Sequence, residues 1–439
     1  MRAVGIDFGT TNSAVAVAEG DDAPRLASYA AGDGGERTLA FRSILHFEPE
    51  DESERRMPRV RAGPAALERY LATAGEGRLV QSIKSFLASP LFEATEVFGA
   101  IYQLEDLIGA LLAELRTAAE AELGPLGPRV VVGRPVRFAG EGTTDERLAL
   151  SRLRSALTRA GFEEVVFEYE PVAAAYHYGL RLREPEVVMI GDFGGGTSDF
   201  SLLWLAPLAV GRARHEILAT AGVGVAGDAF DAKLVRHKVA PLLGRGTSYK
   251  NPFGQVLPVP RWLYAHLERW HHLSFLKSPR TLSLLGDLER EALEPERIRA
   301  FSHLVREDLG FHVYRSVERA KHALSSAPAS RVAYRDRAVG IDAEVTRGEF
   351  ERWIAPELAK IEACVDEVMA RAGIEGRAVD RVFLTGGSSF VPAVRRLFAE
   401  RFGEAKLESG GELVSIATGL ALIGAQADTA EWARPLAGV

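Results

Sequence analysis

The sequence predicts an α/β fold with a mixed sheet, assembled from two similar halves that face each other across a ligand. Two observations predict it. Strand and helix patterns alternate from Arg129 to Tyr178 and then run into a hairpin, an order that gives a mixed sheet. The hairpin, Val188 to Leu203, occurs twice: Val4 to Val17 aligns on Met189 to Leu202 without a gap, placing Asp7 on Asp192, Phe8 on Phe193, Gly9 on Gly194 and Ser13 on Ser198. One glycine-rich turn is weak evidence, whereas two with an Asp at the same offset indicate a duplicated fold.

The turn residues also carry chemistry. Three glycines in a row, Gly194 to Gly196, serve either a positive φ or a close approach to the backbone, and only the second also explains Asp192, Asp199 and Thr197 beside them. Backbone N–H groups of two such turns make an anion nest, and aspartates hold a cation through water. A polyphosphate with Mg²⁺ is gripped in that way.

Taken in order, Asp21 to Arg37 reads as a turn between strands, Thr38 to Phe47 as a strand and the charged run Glu48 to Arg61 as a solvated loop. Helical patterns follow, including Ser82 to Leu87 and an amphipathic run from Gly99 to Leu123 that stops at Gly124-Pro125. Arg129 to Gly133 is a buried-strand pattern, Thr144-Asp145-Glu146 opens a helix to Gly161, and Val165 to Phe167 is a strand. Glu170-Pro171 then opens the helix Val172 to Tyr178; Pro171 suits a first helical position, and Glu170 stands at the strand-to-helix junction where ligands lie. Ile217 to Ala221 reads as a strand, Gly222 to Asp228 as a glycine-rich loop, and Ala229 begins a helix containing Asp231. Gly244 to Leu263 is a loop-rich excursion, and the aromatics Trp262, Tyr264, Trp270 and Phe275 read as packed core in preference to a partner surface. Leu304 to Ser325 is one helix with Glu318, Lys321 and Ser325 along a polar stripe. Phe350 to Met369 is an amphipathic helix with Phe350, Ile354, Leu358, Ile361, Val365 and Val368 inward. Arg381 to Leu384 is a strand, Thr385 to Ser389 a tight turn, Val391-Pro392 a helix start, and Ser415 to Gln426 the last helix.

A chain of 439 residues with 47% apolar and 26% charged content forms two domains or one large bilobed one. The net charge of −7 argues against nucleic acid or an anionic membrane as main partner. The single cysteine, Cys364, excludes an intrachain disulfide, fits a reducing cytoplasm and sits in an apolar helical pattern as a buried small side chain. No basic-then-apolar leader and no apolar run of spanning length occur, so a cytoplasmic protein is expected.

Five motifs stand in the order and spacing of one family. Gly5-Ile6-Asp7-Phe8-Gly9-Thr10-Thr11-Asn12-Ser13, Glu170-Pro171-Val172-Ala173-Ala174-Ala175, Asp192 to Asp199, Glu318-Arg319-Ala320-Lys321 and Gly386-Gly387-Ser388 resemble the ATPase domain of DnaK-type heat-shock chaperones. The resemblance implies an actin-like ATPase fold: two lobes, each with an inner ribonuclease-H-like and an outer subdomain, and nucleotide in the central cleft. It places lobe I at 1–188 (inner 1–38 and 126–188, outer 39–125), lobe II at 189–410 (inner 189–230 and 328–410, outer 231–327) and a returning helix at 411–439.

Carried over residue by residue, the resemblance gives Asp7 and Asp192 the waters around Mg²⁺, and Gly9, Thr10, Thr11, Asn12 and Gly194 to Thr197 the phosphates. Lys84 resembles the lysine that reaches the γ-phosphate, and Glu170 with Asp199 and Thr197 belong to the catalytic set that positions the attacking water. Gly227, Asp228, Glu318, Lys321, His322, Ser325, Gly386, Gly387, Ser388 and Phe390 fall on the nucleoside side. Pro135 is either the hinge proline of the family or a plain strand terminator. His322 and Phe390 stand where the family has arginines that sandwich the adenine, and Gly410 to Leu413 lacks the family's acidic residue near the nucleoside.

The resemblance is to the shorter YegD-like relatives, which have no linker and no peptide-binding domain. A slow ATPase using ATP or ADP with Mg²⁺ is therefore expected, a monomer that signals to a separate protein partner or co-chaperone, with specificity sought in Gly244 to Leu285. Two other readings of the same fold are a nucleotide-dependent filament or scaffold protein and a small-molecule kinase. The kinase reading wants a general-base Asp, and Gly133 to Phe138 offers none.

Overall fold

The computed structural model describes residues 2–20, 22–30, 37–48, 58–73, 77–138, 145–179, 182–209, 212–269, 276–307, 309–408 and 415–426. It divides into two units, the first comprising Met1–Ala226, Lys360–Ser389 and Arg396–Val439, the second Gly227–Ala359 and Phe390–Arg395.

The first unit holds two sheets of one design. In one, β1 (Arg2–Phe8) pairs antiparallel with β2 (Asn12–Glu19) and parallel with β4 (Arg129–Arg134); β3 (Arg25–Leu26) extends the β2 side and β5 (Glu164–Tyr169) the β4 side. In the other, β6 (Glu186–Phe193) pairs antiparallel with β7 (Ser198–Ala209) and parallel with β9 (Arg381–Thr385), with β8 (Arg212–Val223) beyond β7 and β10 (Leu407–Glu408) beyond β9. The duplication extends to the register. Phe8 pairs with Ser13 and Phe193 with Ser198, while Asp7 opposes Ala14 and Asp192 opposes Asp199.

Helices bury the faces of these sheets. α1 (Leu104–Leu123) and α2 (Glu146–Arg159) supply Leu107, Leu111, Leu115, Leu153 and Leu157 to one core, and Asp145 caps α2 by accepting from the N–H of Leu148. α3 (Glu170–Gly179) follows the first sheet but packs on β6 and β7, whereas α8 (Ser415–Gly424) packs on β1, β2 and β4. The two helices meet at Gly419, where a Cβ would lie 1.8 Å from the Ala173 carbonyl oxygen. Only glycine permits that approach.

The second unit includes α4 (Gly227–Leu234), helices at Arg261–Leu267, Pro279–Glu291 and Pro295–Arg306, α5 (Gly310–Ser326) and two hairpins, Ser248–Lys250 with Val256–Pro258 and Ala329–Arg335 with Gly340–Thr346. α6 (Arg347–Ala372) contributes Phe350 and Ile354 here and Ile361, Val365 and Val368 to the first unit, all buried; α7 (Pro392–Phe402) follows β9.

Several sequence expectations need correction. Asp21 to Arg37 is not a plain turn: Tyr29–Ala30 pairs with Arg37–Thr38, residues 31–36 lying outside the described ones. The strand expected over Thr38 to Phe47 is broken into Arg37–Thr38, Phe41–Arg42 and Ile44–Glu48, the second break falling at Ser43, which bonds the first glycine loop. The loop ending at Arg61 finishes as a strand, Arg59–Ala62, paired with Ile44–Glu48, and most of the remainder lies outside the described residues. The helix expected from Gly99 begins at Leu104, because Ala100–Gln103 pairs with Ala94–Val97. Gly227 already begins a helix, and the excursion after Gly244 contains a hairpin and a helix. The single helix over Leu304 to Ser325 is two, separated between Arg306 and Gly310. Leu358 is only half-buried, and Trp262 is 44% exposed while Tyr264 is core; Trp270, Phe275, Thr144 and Gly410 to Leu413 lie outside the described residues.

Candidate functional site

Both hairpin turns and the residues expected at their ends are in the first unit. At the first turn a Cβ on Gly9 would meet the Asn12 carbonyl oxygen at 2.0 Å, so the turn closes only around glycine. Ser43 holds it from outside: its hydroxyl donates to the Gly9 carbonyl at 2.7 Å and lies 2.9 Å from the Ser13 hydroxyl, and its N–H donates to Thr11 at 2.9 Å. At the second turn the Gly194 N–H donates to the Thr197 carbonyl at 2.9 Å, and Ser198, equivalent to Ser13, donates to the Val225 carbonyl at 2.6 Å. Thr10, Thr11, Asn12 and Gly195 to Thr197 are half-buried and Gly194 is exposed, which leaves loop backbone within reach of a ligand.

Lys84 and Glu170 form a buried ion pair at 2.8 Å, Nζ to Oε1. Gly133 makes room for it, since a Cβ there would lie 3.0 Å from Glu170 Cγ. Burial alone would lower Lys84, but the charges of Glu170, Asp7 and Asp192 outweigh it and hold the ammonium above its ordinary value. Lys84 also lies 5.9 Å from the Phe8 ring centroid.

The carboxylates show the opposite balance. Burial, then the charge of Glu170, pushes Asp192 up to about 6, although the Thr385 hydroxyl donates to its Oδ1 at 2.7 Å. Asp7 is raised well above the usual range by burial, Glu170 and Asp192, with Lys84 opposing. Asp199 is raised by burial, Glu170 and Asp192, despite hydrogen bonds from the Arg137 N–H at 3.2 Å and from Thr197. Asp7 and Asp192 each keep part of their surface open, whereas Asp199 is fully enclosed.

Four carboxylates thus influence one another around one lysine, an excess of negative charge that a cation relieves. Mg²⁺ fits this donor set: hard oxygens on two partly open aspartates, with no His, Cys, Asp or Glu group among the described residues close enough to enclose a metal directly. Asp7 and Asp192 would hold it through water.

The nucleoside-side residues divide between the units. Gly386, Gly387 and Ser388 follow β9 in the first; Gly386 has φ +84°, and a Cβ there would lie 2.0 Å from the Phe193 carbonyl oxygen, so this turn packs on the second hairpin. Gly227, Asp228, Glu318, Lys321, His322, Ser325 and Phe390 are in the second. There Lys321 pairs with Asp231 at 2.6 Å and lies 3.5 Å from the Gly227 carbonyl oxygen. Burial and the charge of Glu318 push Asp231 up to about 6 against the pull of Lys321. His322 and Phe390 are exposed.

Sequence reasoning missed Thr385, Ser43 and Arg137 as supports of the site, and did not assign Asp231 to it. Position beside Gly386 was a signal for Thr385, whereas nothing local marks Ser43. Against family models, the chain matches that of Hsp70 protein over residues 81–244 and 310–431, well over half its length.

Proposed function

The chain belongs to the Hsp70 family and has its actin-like ATPase fold, and from that premise we propose that this DnaK-like ATPase module binds Mg-ATP and hydrolyses it slowly. The observation that carries the reading is the Lys84–Glu170 pair set among Asp7, Asp192 and Asp199 at the ends of two equivalent glycine hairpins. Mg²⁺, when bound, supplies charge neutralisation for the phosphates. Backbone N–H groups of Gly9 to Asn12 and Gly195 to Thr197 hold the phosphate oxygens, the Gly194 N–H closing its turn on Thr197, and Lys84 offers a cation at the γ-phosphate. Glu170 keeps Lys84 charged and, with Asp199, orients the attacking water; Thr197 and the Arg137 N–H fix Asp199 in turn. In this reading the lobes are 1–188 and 189–410, Pro135 is the hinge, and the nucleoside rests against Glu318, Lys321, His322, Ser325, Gly386 to Ser388 and Phe390, with Gly227 and Asp228 beside it.

Titration calorimetry with Mg-ATP and Mg-ADP tests binding; no heat at millimolar nucleotide defeats the proposal. Single-turnover hydrolysis by wild type and Lys84→Ala tests catalysis, with the variant expected to lose turnover while keeping nucleotide affinity within a few-fold. A wild type that binds but does not turn over makes the protein a nucleotide sensor.

A further inference from the structure

Exposed large apolar side chains gather on two hairpins that share an unusual layout. The first pairs Ala94–Val97 with Ala100–Gln103 around Phe98-Gly99, and the second pairs Ser248–Lys250 with Val256–Pro258 around a tip containing Phe253-Gly254. Each tip presents an exposed phenylalanine directly before a positive-φ glycine: Phe98 is 48% and Phe253 is 89% exposed. Phe98 itself sits at φ +50°, a left-handed conformation that bulky residues avoid. In the second tip the Asn251 carboxamide accepts from the N–H groups of Phe253 and Gln255, fixing the loop that carries the ring.

The outer faces match in shape and oppose in charge. On the first hairpin Glu96 stands directly across from Ile101, 74% exposed; on the second Lys250 stands directly across from Val256, 59% exposed. Cross-strand partners lie on one face, so each hairpin shows a charged residue beside a β-branched one. The reverse face of the first is committed inward, with Tyr102 against Phe47 at 5.1 Å. The sequence segregates charge in the same way: no Lys or Arg occurs between Lys84 and Arg116, and no Asp or Glu between Asp231 and Glu268. Arg78 donates to the Thr95 hydroxyl and the Glu96 carbonyl, and the side chains of Glu93 and Glu96 are exposed. Arg261 and Trp262, both exposed, begin the helix that follows the second hairpin. One edge of the second hairpin is covered, because Tyr249 bridges Ala292 and the Leu293 N–H donates to Ser248; among the described residues the Val256–Pro258 edge is not.

We propose that the occupant of each hairpin is the other hairpin on a second copy of this chain. Phe98, Ile101 and Glu96 of one copy dock against Phe253, Val256 and Lys250 of another, burying apolar tips that a solitary chain leaves in water and pairing unlike charges. If both contacts form at once, the pair closes as a two-fold dimer; if only one forms, chains result. This association replaces the monomer expected from sequence and is independent of nucleotide binding.

The test is sedimentation velocity on the full chain without nucleotide, from low micromolar to the highest soluble concentration at low salt. Wild type is expected to associate with concentration, less so at high salt. Glu96→Lys and Lys250→Glu are each expected to weaken association about tenfold by opposing like charges. Mixing the two variants restores it, because one then carries two positive hairpins and the other two negative ones. All the altered side chains are exposed, and unchanged circular dichroism and melting show that the fold is kept. A wild type that stays monomeric at every concentration overturns the proposal, as does association that survives both single reversals or a mixture that fails to recover.

Discussion

Lys84→Met removes the cation from the carboxylate cluster. The pair it forms with Glu170 spans 2.8 Å, a gross attraction of about 6 kcal/mol at an effective dielectric constant near 20. The net loss is smaller, because the cost of desolvating the ammonium disappears with it, and breaking one partner of a buried pair leaves about 3 kcal/mol of destabilisation. Glu170→Gln differs: Lys84 keeps the charges of Asp7 and Asp192, and all three aspartates lose the repulsion that Glu170 exerts on them. Its expected cost is about 1 kcal/mol. Urea unfolding of the nucleotide-free protein at pH 7.5, with wild type, both single variants and the double variant, measures the asymmetry. The double variant should cost less than Lys84→Met alone, since the uncompensated carboxylate is gone. If the two single substitutions cost the same within about 0.5 kcal/mol, the picture of one lysine balancing several carboxylates is wrong.

Three further outcomes follow from individual contacts. Asp192 binds its proton more tightly folded than unfolded, rising from 3.8 to about 6, so its contribution is full below its unfolded value and lost as pH rises through about 6. The shift corresponds to about 3 kcal/mol, reduced to about 1–2 by the partly open side chain; Asp192→Asn, which can still accept from Thr385, should be more stable than wild type by that amount at pH 7.5, with the gap closing towards pH 4.5, and a less stable variant at pH 7.5 refutes this. Gly419→Ala puts a methyl group 1.8 Å from the Ala173 carbonyl oxygen, so thermal unfolding should show a loss of about 3 kcal/mol, and an unchanged midpoint would mean that the α3–α8 crossing is not close. Cys364 is buried, and burial with the charges of Glu367 and Asp199 pushes its thiol up to about 12, so a disulfide reagent at pH 8 should modify it only after denaturation.

The duplicated hairpins were legible because their constraints are local. The turn at Gly9 admits no side chain, Gly194 holds the same place in the second copy, and an Asp at the strand end keeps its distance from each turn, so alignment found the equivalence that the sheets show down to Phe8–Ser13 and Phe193–Ser198. The break in the strand at Ser43 was not legible. Ser43 owes its conformation to partners thirty and more positions away, and a lone serine in an apolar alternation carries no sign of them. The same holds for Ala100–Gln103, whose apolar spacing continues into α1 without interruption; only the partner strand decides where extended backbone ends and helix begins.

At the site, residue types were readable and their electrostatic condition was not. Lys84 and Glu170 are 86 positions apart, and each could have been a surface residue by composition. What makes them a unit is that Gly133 leaves space for the glutamate side chain while burial denies both groups water. The upward shifts of Asp7, Asp192 and Asp199 come first from burial and then from the charge of Glu170, with Lys84 opposing them at Asp7 and Asp192. A cation bound there, as proposed for Mg²⁺, would offset the mutual repulsion of these acids. A site built to hold a cation and a polyanion together has this sign of imbalance, and a lysine–carboxylate pair present only to stabilise the fold would carry no surplus acids around it.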